Sequence, residues 1–431
     1  MYKKVCLGDL ADIITGPFGS QLHASDYVEQ GIPSIMPQDI GDRIVIHDRI
    51  AHITEQDAER LKKYRVEIGD IVYSRRGNIE RCALISENDA GALCGTGCLR
   101  IRPDKMLVNA VFLSFYLSTP HIRKWIVDNA TGATMPNLNS AILKKLPVEL
   151  PDLKEQYRIA NELQAIDDKI KNNSKLITTL ESMAKTLYDY WCVQFDFPDV
   201  NGRPYKTSGG KMEWNETLSR EIPAGWEVST IGRHVEVDRG ISYSSADLEG
   251  EGIPMVNLNS FNTDASYKVE GLKTYSGKYA KDKVIKPYDL MICTTQQTAI
   301  DLTGQTNIIG KAMILPDCFE GREVVASMDL VRLHCDDIYG KYYLRLLLAK
   351  DYFHKYVTGY AIGTKIKHLH LDGLLNYYCE VPPNSLLQSF NKKMQGIEMK
   401  KSEIINENQR LCYLRDFLLP MLMNGQVTFR Q

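Results

Sequence analysis

Apolar residues recur along two long stretches of the chain, mostly at spacings of four and three residues or their sum. The first stretch comprises Ile159, Leu163, Ile166, Ile170, Ile177, Leu180, Met183 and Leu187. The second comprises Phe390, Met394, Ile397, Ile404, Leu411, Leu414 and Leu418. A mean spacing near 3.5 residues over about four heptads is typical of a coiled coil. Each stretch therefore predicts a long helix whose apolar side packs on a partner helix.

Polar residues interrupt both apolar stretches and mark both helix starts. Asn173, Lys401 and Asn408 occupy positions at which the spacing calls for an apolar residue. Residues 152 and 155, and residues 385 and 388, have the spacing of a capping box. Two helices that each pack on their own domain would give a similar pattern, but the shared spacing favours a helix pair. The heptads alone leave its orientation open, and a two-fold arrangement would run the helices antiparallel.

The segments that precede the two helices repeat each other at an offset of about 231 residues. Leu138 corresponds to Leu369, and Pro151 corresponds to Pro382. Short apolar runs between turns, such as residues 44–46 and 71–73, predict strands, and residues 109–128 and 339–356 each predict one helix. The chain therefore predicts an α/β (α+β) fold with two mixed domains, small antiparallel or mixed sheets and two long helices.

These patterns divide the chain into five predicted segments. They are a first mixed domain (1–150), a first long helix (151–190), a connector (191–226), a second mixed domain (227–382), and a second long helix with a C-terminal tail (383–431). The connector is rich in Gly, Pro and polar residues, but aromatic residues such as Phe197 and Trp226 are interleaved with them. We therefore expect the connector to form ordered turns.

Composition and charge narrow the classes of function. The 431 residues are 44% hydrophobic and 25% charged, with a net charge of −2. No apolar run is long enough to span a bilayer, and no apolar stretch follows the first lysines, so we expect a cytoplasmic protein that does not contact a membrane. Near-neutral charge argues against a uniformly basic nucleic-acid coat, so any DNA contact would use local patches or a partner. The ten cysteines form no CxxC pair, which favours reduced thiols over a zinc site.

Motifs of catalysis are missing from the sequence. It contains neither a Walker loop nor a GxGxxG turn. Pro382-Pro383-Asn384 superficially resembles the Asn-Pro-Pro-Tyr run of amino-methyltransferases, but the order is reversed. Asp152 suits a helix cap better than a nuclease site. We therefore expect no catalytic residue, no cofactor and no metal ion in this chain.

Polar loops occupy four equivalent places in the two domains and carry different side chains in each. After one strand, Arg75 and Arg76 in the first domain correspond to residues 294–297 in the second. Arginine beside Gly77 suits guanine edges or phosphates, whereas glutamine can bridge N6 and N7 of adenine. The other pairs of loops are residues 16–21 with 240–244, 131–137 with 362–368, and 38–39 with 257–262.

These loops supply the candidate DNA-contacting residues, although an ordinary solvated loop remains an alternative for each one. In the first domain they are Ser20, Gln21, Gln38, Arg75, Arg76, Asn78, Thr134 and Asn137. In the second domain they are Ser242, Tyr243, Ser244, Asn257, Asn259, Thr294, Thr295, Gln296, Gln297, Thr364, Lys365, Lys367 and His368.

The chain carries a series of short motifs, which are Leu7-Gly8-Asp9-Leu10, Gly31-Ile32-Pro33, Gly132-Ala133-Thr134, Leu150-Pro151, the connector from Trp191 to Trp226, Gly252-Ile253-Pro254, Gly363-Thr364, Val381-Pro382-Pro383 and Leu418-Leu419-Pro420. In this order and in duplicate, the motifs resemble the specificity (S) subunits of type I restriction–modification systems. Each motif alone is weak, whereas their duplicated order is specific.

The resemblance implies a non-catalytic subunit with two target-recognition domains, joined by an antiparallel coiled coil in a pseudo-two-fold arrangement. Each domain would read one half of a split, asymmetric site in double-stranded DNA, and the helices would set the spacer between the halves. Two modification subunits would dock on the chain, bind S-adenosylmethionine and flip the adenine to be methylated. A translocating restriction subunit would join for cleavage.

Two other functions remain open at the level of the sequence. A self-sufficient DNA methyltransferase would bind S-adenosylmethionine as an isolated chain. A coiled-coil scaffold without a DNA role would show no salt-dependent binding of duplex DNA, alone or with modification subunits.

Overall fold

The structure is a computed structural model that describes residues 2–18, 21–132, 136–296, 307–335 and 340–427. The chain forms two compact units. Unit 1 consists of Met1–Lys171 and Arg410–Gln431, and unit 2 consists of Asn172–Gln409. This division cuts both long helices, whereas the five predicted segments end where the helices end. The predicted segment boundaries therefore stay a prediction.

Unit 1 contains small mixed sheets. Its described strands are β1 (Lys3–Cys6), β2 (Ala11–Thr15), β3 (Tyr27–Val28), β4 (Ile32–Ile35), β5 (Ala51–Ile53), β6 (Ile71–Ser74), β7 (Cys82–Leu84), β8 (Leu93–Cys94), β9 (Cys98–Pro103) and β10 (Pro147–Leu150). The orders are β2-β9-β6-β7 and β3-β5-β4-β8, and β1 pairs with β10. The strand predicted at residues 44–46 is wrong. Arg43 has a φ of 62°, which turns the chain, and an isolated bridge joins Ile40 to Val45.

The described helices of unit 1 pack against these sheets. They are α1 (Glu55–Arg60), α2 (Ala110–Ser118), α3 (Pro120–Asn129), α4 (Ser140–Lys144) and the first part of α5 (Leu153–Tyr188). The single helix predicted at residues 109–128 is instead two helices. Pro120 has no N–H to donate, and it holds Thr119 in an extended conformation (ψ 145°), which ends α2. Buried residues such as Phe112, Ile126 and Leu163 form one apolar core with Leu419 and Leu422 of the C-terminal helix.

Unit 2 has a similar set of strands. They are β11 (Met212–Asn215), β12 (Arg220–Pro223), β13 (Glu227–Thr230), β14 (Val235–Arg239), β15 (Ile253–Val256), β16 (Lys273–Tyr275), β17 (Val284–Ile285), β18 (Leu290–Cys293), β19 (Thr295–Gln296), β20 (Ala312–Ile314), β21 (Val324–Ala326), β22 (Leu330–Cys335), β23 (Ala361–Ile362), β24 (Lys367–Leu369) and β25 (Tyr378–Val381). The orders are β14-β22-β18-β20, β16-β15-β21-β17 and β19-β24-β23, with the pairs β13-β25 and β11-β12.

Unit 2 also divides a predicted helix. Its helices after the second part of α5 are α6 (Lys341–Leu348), α7 (Asp351–Thr358), α8 (Leu371–Leu375) and the first part of α9 (Asn384–Met423). The helix predicted at residues 339–356 is therefore two helices, because Lys350 is extended (ψ 140°). The predicted first residue, Tyr339, lies outside the described residues.

Each unit is stabilised internally by an equivalent arginine–aspartate pair, as expected for a duplicated domain. In unit 1, buried Arg100 of β9 donates to Asp12 of β2 at 3.0 Å. In unit 2, buried Arg332 of β22 donates to Asp238 of β14 at 2.6 Å. Among its described strands, each unit also has one parallel pair in an otherwise antiparallel sheet. This pair is β4 with β8 in unit 1 and β15 with β21 in unit 2. The predicted mixed α/β fold with small sheets is therefore confirmed.

The segments of α5 and α9 pair antiparallel within each unit. In unit 2, Glu181 meets Lys401 and Asn173 meets Asn408, so residue numbers rise along one helix as they fall along the other. Asp152 caps α5 by accepting from the N–H of Glu155 at 2.9 Å. The predicted cap at Ser385 is wrong, because α9 already begins at Asn384.

Two predicted apolar contact positions also need correction. Met183 and Leu414 are exposed, and the inward places are taken by Ala184 and Arg415. A step of four residues from Leu180 leads to Ala184, and a step of four residues from Leu411 leads to Arg415. The heptad spacing therefore places these two neighbours on the inward side.

The connector in unit 2 forms ordered turns as predicted. The rings of Phe197 and Tyr205 stack with centroids 4.6 Å apart, and Phe197 stacks on Trp226 at 5.5 Å. Trp214 is exposed and takes no part in this cluster. None of the helices in the described residues is both long enough and apolar enough to cross a membrane.

Candidate nucleic-acid interface

Three of the predicted loops of unit 1 come together around Arg75. This residue follows β6, and its backbone C=O accepts from the N–H of Leu138 at 3.0 Å. Its side-chain Nε donates to Oδ1 of Asn137 at 3.0 Å. The guanidinium lies over the ring of Phe18, 5.6 Å from the centroid. The loops after β2, after β6 and before α4 therefore form one surface, called here loop cluster 1 (residues 16–18, 21, 75–78, 132, 136 and 137).

Arg75 in loop cluster 1 is oriented but not neutralised. Among the described residues it has no acidic partner, whereas the nearby Arg100 and Arg102 are ion-paired with Asp12 and Asp70. The contact with Asn137 uses only Nε, so both terminal amino groups can still donate to a ligand. A guanidinium held at one edge and free at the other can bind a guanine edge or a phosphate bidentately.

Two further residues of unit 1, one within loop cluster 1 and one in the adjoining hairpin, are not among the predicted contact residues. Phe18 is 55% exposed and lies against the guanidinium of Arg75. Arg81 is exposed at the other end of the β6–β7 hairpin and has no acidic partner among the described residues. The spacing of Arg75, Arg76 and Arg81 within one hairpin was the signal that could have identified Arg81.

Unit 2 repeats the backbone frame of loop cluster 1 with other side chains. The C=O of Thr294, which follows β18, accepts from the N–H of Leu369 at 2.7 Å. Thr295 pairs with His368 across β19 and β24, and their side chains approach within 3.2 Å. Residues 294–296 and 361–368 form the corresponding group of loops, called here loop cluster 2.

Four predicted contact residues of unit 2 are buried, which corrects their expected role. Thr294, Thr295, Gln296 and Asn257 are each at most 5% exposed. The hydroxyl of Thr294 donates to the C=O of Asp329 at 2.9 Å, and Gln296 accepts from a backbone N–H at 3.1 Å. Asn257 donates to the C=O of Gly271 at 2.7 Å. In this structure these side chains support the loops from within, because buried polar groups need partners.

The remaining candidates are distributed between accessible and partly engaged positions. Those with exposed side chains are Gln38, Arg76, Asn78, Ser242, Ser244, Asn259, Thr364, Lys365 and His368. Those that are half-buried are Gln21, Arg75, Asn137, Tyr243 and Lys367. Ser20, Thr134 and Gln297 lie outside the described residues. Contact of any of these residues with DNA stays a prediction.

Some of these side chains already have partners that limit how they could reach a ligand. Gln21 accepts from the hydroxyl of Tyr64 at 2.8 Å. Lys273 donates to the hydroxyl of Tyr243 at 3.1 Å. Ser244 binds Asp247 in a turn, with a 2.8 Å bond from its hydroxyl. Gln38, in the 3-10 helix Pro37–Asp39, and Asn78, in the loop between β6 and β7, have exposed side chains that a nucleic acid could reach.

Electrostatics differ between the two hairpins that carry the clusters. The C=O of Arg81 accepts from the N–H of Ser74 in β6, and the C=O of Lys311 accepts from the N–H of Cys293 in β18. Arg81 and Lys311 therefore occupy equivalent places in the two units. Burial lowers the pKa of Lys311, although Asp264 opposes this shift, and its ammonium donates to the C=O of Thr263. The side chain of Arg81, in contrast, is exposed to solvent.

The fold and the two clusters define a class of protein, one that presents two related but different sets of polar loops on two similar units. Residues 1–182 match the family described as type I restriction modification DNA specificity domain. The chain is 26% identical to the MjaIX specificity subunit of Methanocaldococcus jannaschii, over 93% of this chain and 88% of that protein. It is 21% identical to the HindI specificity subunit of Haemophilus influenzae, over 99% of both chains.

The fold agrees with these matches. The crystal structure of a type I restriction–modification S subunit from M. genitalium has a TM-score of 0.59, with 16% identity over 98% of this chain and 96% of that one. Over almost its whole length, the chain is therefore similar to proteins named as type I restriction enzyme specificity subunits.

Proposed function

We propose that the chain reads a bipartite, asymmetric site in double-stranded DNA. Loop cluster 1 and loop cluster 2 would each read one half of the site. The helices α5 and α9 would set the number of base pairs between the halves. The resulting complex would methylate adenine when modification subunits are bound and cleave DNA when restriction subunits are also present.

The observation that carries this proposal is one backbone frame with two sets of side chains. Leu138 and Leu369 bind the carbonyl oxygens of Arg75 and Thr294 in the same way. The exposed residues on the two frames nevertheless differ, with Arg76 and Asn78 in one and Lys365 and His368 in the other. Because bases are distinguished by donor and acceptor patterns, equal frames with unequal side chains suit two different half-sites.

Partners are part of the proposal. The net charge of −2 gives the chain little sequence-independent attraction for DNA. Two modification subunits would supply further phosphate contacts and would hold S-adenosylmethionine together with the groups that act on adenine. Restriction subunits would supply translocation and cleavage. This chain would contribute the sequence contacts and the docking surfaces.

The proposal is tested by single-molecule methylation sequencing of a host that carries this chain and its modification subunit. The expected result is one two-part motif with different halves and a single spacer length. A contiguous motif, or a palindrome with equal halves, would contradict the proposal. A host with the modification subunit alone is the matched control and should lack the motif.

A further inference from the structure

Three polar residues lie seven positions apart on the side of α9 that faces α5. They are Lys401, Asn408 and Arg415, and each meets a polar residue of α5 within its own unit. The ammonium of Lys401 donates to Glu181 at 2.9 Å, and the amide of Asn408 accepts from Asn173 at 2.9 Å. The guanidinium of Arg415 donates to Asp167 at 3.1 Å. These three pairs are called here the polar ladder.

The pairs of the polar ladder are shielded from water to different degrees. Asn173 is 4% exposed and makes a second bond, to Glu407 at 2.8 Å. The side chains of Lys401 and Glu181 are 13% and 15% exposed. A mismatch at such positions is costly, because a buried donor or charge without its partner loses hydration and gains nothing in return.

The order of the pairs makes the ladder sensitive to register. It runs from an ion pair through an amide pair to a second ion pair. A slip of one heptad would keep the apolar residues matched, since their pattern repeats every seven residues. The same slip would place a cation against Asn173 and would place Asn408 against a carboxylate. Depending on the direction of the slip, either Glu181 or Asp167 would face an apolar residue of α9. Without a partner on α9, that carboxylate would keep its ion pair with an arginine outside the two long helices, which is Arg345 for Glu181 and Arg43 for Asp167.

We propose that the polar ladder fixes the register between α5 and α9 and thereby restricts the complex to one spacer length. This inference rests on the proposed function, because the spacer has meaning only for a bipartite site. A heptad corresponds to roughly 10 Å of helix at 1.5 Å per residue. That length equals about three base pairs at 3.4 Å per step. A slip of one heptad would therefore change the spacer by about three base pairs, and this is the change that the polar ladder prevents.

Two double variants that introduce the same residue types test the ladder. N173E/N408K makes every pair an acid on α5 with a base on α9, so a slipped register keeps most pairs. N173K/N408E reverses the central pair, so a slip would bring like charges together. The two variants share their composition and positions and differ in the direction of the central pair. This direction also decides whether the residue at position 173 repels or attracts Glu407, so Glu407→Gln is added to both variants.

The assembled complex with its modification subunits is given DNA duplexes that keep both half-sites and differ in spacer length. The extent of methylation of each duplex is measured. For N173E/N408K we expect methylation at a spacer three base pairs away to rise about tenfold relative to the native spacer, the change produced by ~1.4 kcal/mol. N173K/N408E should keep the native preference. Equal behaviour of the two variants, whether strict or relaxed, would overturn the ladder.

A second readout reports register without DNA. Cysteines at Ile177 and Ile404 should cross-link in the native register, because these positions lie four residues beyond Asn173 and four before Asn408. Cysteines at Ile177 and Leu411 should cross-link only after a slip of one heptad. The second pair should react in N173E/N408K and not in N173K/N408E. If N173E/N408K does not fold, N408K alone should give a smaller shift in the same direction.

The outcomes separate the ladder from the proposed function. A wild-type complex that methylates all spacers equally would count against the bipartite site, whatever the cross-links show. A wild-type complex with one spacer, together with unchanged cross-links in N173E/N408K, would remove the ladder and leave the bipartite site in place.

Discussion

Arg75 is the clearest recognition candidate at the scale of single residues. Asn137 holds its Nε, Phe18 lies against its face, and no acid among the described residues neutralises it. This combination leaves a preoriented guanidinium whose terminal amino groups can donate in parallel. The equivalent residue of unit 2, Thr294, is buried and bonded to Asp329, so we expect no matching contact in the second half-site.

Replacing Arg75 by alanine should weaken recognition at one base pair of one half-site. The expected loss is ~1–3 kcal/mol, the value of one bidentate contact with a base. Asn137→Ala should give a smaller loss at the same position, because Nε would lose its anchor. Competition binding of the complex to duplexes with single base-pair changes measures both effects. Arg49→Ala, an exposed arginine outside the loops, is the control, and equal loss in both half-sites would contradict the prediction.

Glu181 is a buried carboxylate whose protonation should affect stability. Burial by itself would raise the pKa of Glu181, but the charges of Arg345 and Lys401 outweigh it and lower the pKa from 4.5 to about 2. A depressed pKa means that the carboxylate stabilises the fold above pH 4.5 and loses that contribution as the pH falls toward about 2. Such a shift corresponds to roughly 3 kcal/mol.

Glu181→Gln should therefore destabilise the protein at pH 7, and the difference from the wild type should shrink between about pH 4.5 and 2. Urea unfolding of the full chain over this range measures it. Glu403→Gln is the matched control, because Glu403 pairs with Lys400 on the surface and its side chain is 64% exposed; surface pairs are worth ~0–1 kcal/mol. A difference between wild type and Glu181→Gln that stays constant with pH would exclude a charged role.

At the scale of elements, the two long helices combine a repeating apolar pattern with a non-repeating polar order. The 36 residues of α5 and the 40 residues of α9 correspond to roughly 54 and 60 Å at 1.5 Å per residue. Apolar residues provide most of the attraction between the helices. The polar ladder adds discrimination, since its pairs satisfy one another in only one register.

Inserting one heptad into both helices, at facing positions, should lengthen the preferred spacer by about three base pairs and leave both half-site sequences unchanged. Methylation of the spacer series by the assembled complex measures this change. The same insertion in α5 alone is the control and should abolish the preference, because the two helices would no longer match. Altered half-sites with an unchanged spacer would show that the helices do not measure distance.

At the scale of the whole molecule, duplication and weak net charge determine how the protein can act. Two units repeat one sheet order and one buried arginine–aspartate pair, yet they expose different loops. With a net charge of −2, the chain by itself is expected to attract phosphate backbones only weakly. Specific contacts and general attraction for DNA are therefore expected to reside on different subunits.

The isolated chain should bind duplex DNA weakly and with a shallow dependence on salt. The complex with modification subunits should bind tightly and with a steep dependence, because each neutralised phosphate adds about 0.9 to the slope of log K against log salt. Fluorescence anisotropy over a salt series measures both slopes. Titration calorimetry with S-adenosylmethionine should show heat for the complex and none for the isolated chain. Equal slopes would place the phosphate contacts on this chain.

Local patterns were sufficient for some features because their causes lie close together in the sequence. The heptads of α5 and α9, the cap at Asp152 and the arginines after β6 all follow from neighbouring residues. The break before Pro120 could also have been predicted from the proline itself. The matching break at Lys350 could not, because that position has no comparable residue.

The sequence alone determined the duplicated mixed domains, the long helices and the resemblance to specificity subunits, since apolar spacing and motif order are properties of the chain. Only the tertiary structure decided that Thr294, Thr295 and Gln296 are buried and that Arg75 is held by Asn137, 62 residues away. It also decided which polar residue of α5 meets Lys401, Asn408 and Arg415 of α9. Burial and pairing depend on distant residues that packing brings together, and no local pattern records them.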